Sequence, residues 1–196
     1  VFLVAASAPH RAAGDLLKMP LISASLGSGT DGEVETAAMA RLHGAPIKLI
    51  SGYRGTPEAL LALERGEVQG VHGISWSYIK GKKADWLKHG KIRLLLQSGL
   101  EAHPDLIGLP QLQSLATTDV DRQVWDLILA PKIMSRPYLL PPETAADRVA
   151  ALRLAFEALM IDAQFLEEME KLQLEVKLTK GTDIVDLMKR LYSFPA

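Results

Sequence analysis

The chain has 196 residues, with 22 Lys+Arg against 23 Asp+Glu, a net charge of -1 and no Cys. The absence of Cys excludes disulfides, thiolate metal ligands and Cys nucleophiles, and the balanced charge argues against a general nucleic-acid binder, which carries a basic excess. A chain of this length buries roughly 70% of its unfolded surface, enough for one large domain or two small ones.

Val1-Phe2-Leu3-Val4-Ala5-Ala6 is an apolar run. It is far too short to span a membrane and has no basic segment before it, so it reads as a strand and not as a signal peptide. Pro20 to Ala24 is a second apolar segment, and Ser25-Leu26-Gly27-Ser28-Gly29-Thr30 follows it. Val34, Ala37, Ala38 and Leu42 then predict a helix that stops near Gly44. Ile47 to Ile50 is a strand. Thr56-Pro57-Glu58 marks a helix start, with Thr as the cap, Pro at the first helical position and Glu at the positive end. Val68 to Ile74 and Ile92 to Gln97 are two more strands. Strands alternating with helices at this spacing predict an α/β fold with a mainly parallel sheet and flanking helices.

The second half differs. Val120, Val124, Leu127 and Ile128 recur at helical spacing, with Pro131 closing that helix. Arg136 to Pro142 is a proline-rich extended stretch. Val149, Leu152, Phe156, Leu159, Ala163 and Leu166 step by three and four, which predicts one long amphipathic helix. Leu174, Val176 and Leu178 alternate as a strand, and Thr182 caps a last helix bearing Ile184, Met188 and Leu191.

Three strand-to-helix crossovers are candidate binding loops. Gly27-Ser28-Gly29-Thr30 is either an anion cradle at a helix N-terminus or a plain Gly-rich turn with a Thr cap. It is neither a P-loop nor a dinucleotide fingerprint. Asp31 and Glu33 in the first turn would repel an anion if they faced it. Tyr53-Arg54-Gly55-Thr56 offers the same geometry with side-chain donors. At Gly73-Ile74-Ser75-Trp76, Gly73 leaves space, Ser75 can cap a helix and Trp76 can wall a pocket or fill a core. All three follow the carboxyl ends of strands, where open α/β sheets place ligands. His10, His43, His72, His89 and His103 lack metal-ligand spacing. The bases from Lys80 to Arg93 read as a solvated loop and helix end.

The ordered set Gly-Ser-Gly-Thr (27–30), Tyr-Arg-Gly-Thr-Pro-Glu-Ala-Leu (53–60) and Leu-Glu-Arg-Gly-Glu-Val (63–68), with Gly90-Lys91-Ile92-Arg93-Leu94 after it, resembles the Bug family. These are the periplasmic solute-binding proteins of tripartite tricarboxylate transporters. The resemblance implies a two-lobed, type II periplasmic-binding-protein fold that closes like a Venus flytrap. Residues 1–7 would be a hinge strand, 8–134 the second lobe, and 135–196 the hinge return, with Arg136 to Leu140 as the second crossing strand, plus the C-terminal part of a first lobe whose beginning is missing. It further implies a monomeric, periplasmic, non-catalytic protein without cofactor or metal, which captures a small organic carboxylate for membrane transporter subunits. Gly27, Ser28, Gly29, Thr30, Tyr53, Arg54, Gly55, Thr56, Gly73, Ser75 and Trp76 would line the ligand site. The chain departs from the family pattern at Glu33, Gln69 and Gly73-Ile74. Two other readings stand beside this one. A ligand-sensing effector domain would need a DNA-binding helical module, and an enzyme on the same scaffold would have only Asp31, Arg54 and His72 in its cleft loops.

Overall fold

The computed structural model describes residues 1–134, 137–172 and 174–195. Its strands are β1 (Phe2–Ala5), β2 (Leu21–Ser25), β3 (Ile47–Ser51), β4 (Gly70–His72) and β5 (Ile92–Leu96), joined in one sheet of order β3-β2-β4-β1-β5. β2 pairs in parallel with β3 and β4. β1 lies antiparallel between β4 and β5. The sheet is therefore mainly parallel, as the alternation predicts, with the first strand of the chain inserted in the opposite sense. Phe2, Leu3 and Val4 are fully buried, which explains why β1 reads as a continuous apolar run: a strand inside such a sheet is covered on both faces.

Five helices follow these strands: α1 (Asp31–His43), α2 (Thr56–Glu64), α3 (Trp76–Lys82), α4 (Ala84–Lys88) and α5 (Asp119–Ile133). Alternate β1 side chains point into two separate cores. Leu3 packs with Ala24, Leu60 and Leu63 of α2, Val71, Ile79 of α3 and Trp86 of α4. Phe2 and Val4 pack with Leu21, Met39 of α1, Leu96, and Trp125 and Leu129 of α5. Helices thus cover both faces of the sheet, the expected three-layer α/β arrangement.

Several predicted details differ. In α1 the buried residues are Gly32, Glu35, Thr36 and Met39, whereas Val34 is exposed; the inward face is polar at two positions, so an apolar pattern misplaces it. In α5, Pro131 lies inside the helix and does not close it. Its missing N–H costs one bond close to the C-terminus, where the helix needs few more. The inward face of α5 also rotates: Val120 and Leu127 are exposed while Trp125 is fully buried. Burying the large indole favours this orientation of the helix. Thr56 is the first helical residue of α2, and Gly55 occupies the cap position.

The chain divides into two units, Val1–Leu129 and Ala130–Ala196, with α5 running across the division. The second unit holds α6 (Ala146–Leu159), α7 (Ala163–Lys171) and α8 (Gly181–Tyr192). The predicted long helix is two helices. Asp162 breaks it by accepting the Phe165 N–H at 2.8 Å, which starts α7 afresh. Leu174, Val176 and Leu178 form no strand, since among the described residues of this unit no strand edge exists for them to pair with. Lys180, not Thr182, takes the cap position of α8, and its N–H donates to Asp183 at 3.3 Å. Arg136 lies outside the described residues, and Pro137 to Leu140 pair with no strand. Within this unit Lys180 binds Glu157 at 2.9 Å, and the Tyr138 and Phe156 rings sit 5.1 Å apart.

Candidate functional site

The parallel strands end level with one another. Ser25 lies opposite Ser51, and Ala24 opposite Val71. The segments that follow, 26–30, 52–55 and 73–75, therefore leave the same edge of the sheet. His72 and Leu96 both pair with Phe2, which brings the end of β5 to that edge as well. Gly27, Ser28, Gly29, Thr30, Tyr53, Arg54, Gly55, Thr56, Gly73, Ser75 and Trp76 all belong to these segments or to the first turns of α1, α2 and α3.

The Gly-rich turn is closed from within. Gly27 and Gly29 adopt φ of 125 and 78, a region that favours glycine. Gly27 donates its N–H to Ser25 Oγ at 3.3 Å, and its carbonyl accepts the Thr30 hydroxyl at 2.7 Å. The Glu33 carboxylate folds back and accepts the Gly29 N–H at 3.0 Å. The second loop repeats this: Glu58 accepts the Arg54 N–H at 2.6 Å. Two of the backbone donors that suit a ligand carboxylate thus hold a carboxylate of the chain itself, each four residues on, at the positive end of a helix. Arg54, Gly55, Pro57, Glu58 and Leu61 line a shallow groove beside the start of α2.

At the third loop, Gly73 has φ of 82 and touches the start of α1. A Cβ on Gly73 would lie 2.6 Å from the Gly32 nitrogen, and one on Gly32 would overlap the His72 carbonyl oxygen. This mutual approach seats the N-terminus of α1 on the end of β4. Ser75 caps α3 by accepting the Tyr78 N–H at 3.4 Å. The half-buried Trp76 donates its indole N–H to Asp105 at 3.0 Å. The Lys80 ammonium at 2.6 Å, and then that indole, hold the Asp105 carboxyl below its ordinary range. Trp76 is thereby fixed to the turn Pro104–Leu106.

Behind this edge lies a polar network that sequence spacing does not show. The His72 ring is fully buried and stacks on Phe2, with centroids 4.5 Å apart. Its Nδ1 lies 3.1 Å from Thr36 Oγ1. Its Nε2 lies 2.8 Å from Glu35 Oε2 and 3.0 Å from Ser98 Oγ. Glu35 is 1% exposed. Ser98 shares its ring nitrogen with the acid, and Thr36, the hydroxyl on the opposite nitrogen, is 1% exposed, so neither hydroxyl is both relayed through the ring and open to a substrate. The signal available in the sequence was the helical spacing of Gly32, Glu35, Thr36 and Met39, an i, i+3, i+4, i+7 stripe with too few apolar members to register. Among the described residues, no three His, Asp or Glu side chains gather as metal ligands, and no helix is long and apolar enough to cross a membrane.

No protein family and no curated protein matches this sequence. Solved structures do. A TctC solute-binding protein from Polaromonas, crystallised without ligand, superposes with a TM-score of 0.69 at 15% identity, over 98% of this chain and 62% of its own. The R. palustris protein Rpa4515, solved with adipate, gives 0.57 at 18% identity, over 98% of this chain and 60% of its own. The fold is that of the TctC solute-binding proteins. The first of these neighbours is a solute-binding protein of the kind that the ordered loop motifs resemble. The chain spans about three fifths of the length of either structure.

Proposed function

We propose that the chain is a non-catalytic solute-binding component that holds one carboxylate of a small organic acid at the carboxyl edge of β2, β3 and β4. It would act as a monomer in the periplasm and deliver its solute to the membrane subunits of a tripartite transporter. The observation that carries this reading is the convergence of the three loops 27–30, 53–56 and 73–76 on one sheet edge, within a fold shared with a TctC solute-binding protein and with a protein solved with adipate. Backbone N–H groups at helix starts are suited to a carboxylate without any surplus of Lys and Arg, in keeping with the net charge of -1. The solute's carboxylate would take the place of Glu33 or Glu58 on these donors, an exchange of like for like. Adipate, bound in one neighbour, is the natural first probe.

Saturation-transfer NMR tests the reading, because it detects weak as well as tight binding. Transfer to adipate and none to adipamide, which has the same chain without charge, is the expected result. Equal transfer to both, or none to adipate, citrate and succinate alike, overturns it.

A further inference from the structure

The buried network behind the sheet edge adds a ligand contact that the loop motifs do not include. His72 Nε2 carries either one hydrogen or one lone pair. With a carboxylate oxygen of Glu35 at 2.8 Å, it carries the hydrogen, since a negative charge beside the nitrogen favours the N–H over a lone pair. Ser98 Oγ, 3.0 Å from the same nitrogen, then accepts from it. A hydroxyl that accepts from Nε2 keeps its own hydrogen free of the ring, available to a second acceptor. Ser98 is half-buried and lies two residues beyond the end of β5, on the edge where the other loops emerge. A hydroxyl that already accepts a hydrogen bond is polarised into a better donor.

We infer that Ser98 is a ligand-binding residue, its hydroxyl donating to an oxygen of the solute, with the buried Glu35–His72 pair behind it as the positioning device. The inference rests on the carboxylate-binding reading and extends it to a fourth strand end. Thr36 at Nδ1 and the stacked Phe2 ring hold the imidazole in the plane this requires. Ser98 touches the solute, whereas Glu35 and His72 act through it.

Two measurements test the proposal. In the ligand-free chain, long-range proton–nitrogen correlation of the His72 ring should show a hydrogen on Nε2; a bare Nε2 overturns the inference whatever the ligand. In an adipate titration followed by amide shifts, Ser98→Ala should weaken binding about tenfold, the worth of one hydrogen bond to a charged group, and Ser98→Thr should restore most of it. If Ser98→Ala binds adipate as tightly as wild type while Gly29 and Gly55 still shift, Ser98 is not a contact and the carboxylate reading stands. If the wild-type chain shows no adipate shifts, both fall.

Discussion

The two units of this chain both carry helices with apolar-patterned sequence, yet they bury it very differently. In residues 1–129, two clusters flank a five-stranded sheet and contain fully buried side chains as large as Trp125, Phe2 and Leu3. In 130–196, α6 and α7 have no buried residue among those described, and α8 buries only Leu187. Leu154 and Ile161 are 69% and 79% exposed. A helical pattern of apolar residues states which face wants cover; it does not supply the cover. Where a sheet exists, each helix finds its place. Where none exists, local capping by Asp162 outweighs a periodic stripe and cuts one predicted helix into two.

The largest test of this contrast compares core truncations. Trp125→Ala should cost about 3–5 kcal/mol, as for other buried aromatic truncations, and also removes the 3.2 Å bond from its indole to His43. Leu154→Ala should change stability by less than about 0.5 kcal/mol, as an exposed substitution does. Urea unfolding followed by far-ultraviolet circular dichroism measures both, and comparable losses would erase the distinction between the units.

A smaller effect probes the packing that builds the candidate site. Gly73→Ala combines a positive φ with a contact on Gly32. Gly44→Ala has φ of 67 but open space around the new carbon. The second should cost about 1–2 kcal/mol from backbone strain alone, and the first clearly more. Equal costs would mean that the start of α1 is not seated on β4.

The smallest effect is electrostatic. The Thr117 backbone N–H, then the Thr117 and Thr118 side chains and the Thr118 N–H, lower the Asp121 carboxyl from 3.8 to about 2. A lowered folded-state value means that this group stabilises the first unit above pH 3.8 and loses that contribution as pH falls toward about 2. Asp121→Asn should lower stability modestly at neutral pH and flatten the acid limb in that window, the two proteins converging as pH falls toward about 2. An unaltered acid limb would show that these bonds do not form in solution.

Most of the first unit was legible because its signals are local. Gly44 ends α1, Pro57 sits in the first turn of α2, Ser75 caps α3, and β1 declares itself by three consecutive buried apolar side chains. The alternation of strand and helix then sets the parallel sheet. What was not legible depends on partners distant in sequence. The antiparallel placement of β1 is decided by β4 and β5, some seventy to ninety residues away. The network at the candidate site joins Glu35, His72 and Ser98 across three elements. Glu33 shows a subtler limit. Its place in the first turn was plain, but only the folded turn shows its carboxylate on the Gly29 N–H. The second unit was least legible, because Leu174, Val176 and Leu178 alternate as a strand while the described residues of that unit contain no strand for them to pair with.

The central claim is that the sheet edge of the first unit takes a carboxylate. Amide shifts of the nitrogen-15-labelled chain during an adipate titration test it most directly. Saturable shifts are expected at Gly29, Thr30, Gly55, Gly73 and Ser98, with α6, α7 and α8 unmoved. Shifts confined to residues 146–192, or none at the sheet edge at any adipate concentration, would contradict it.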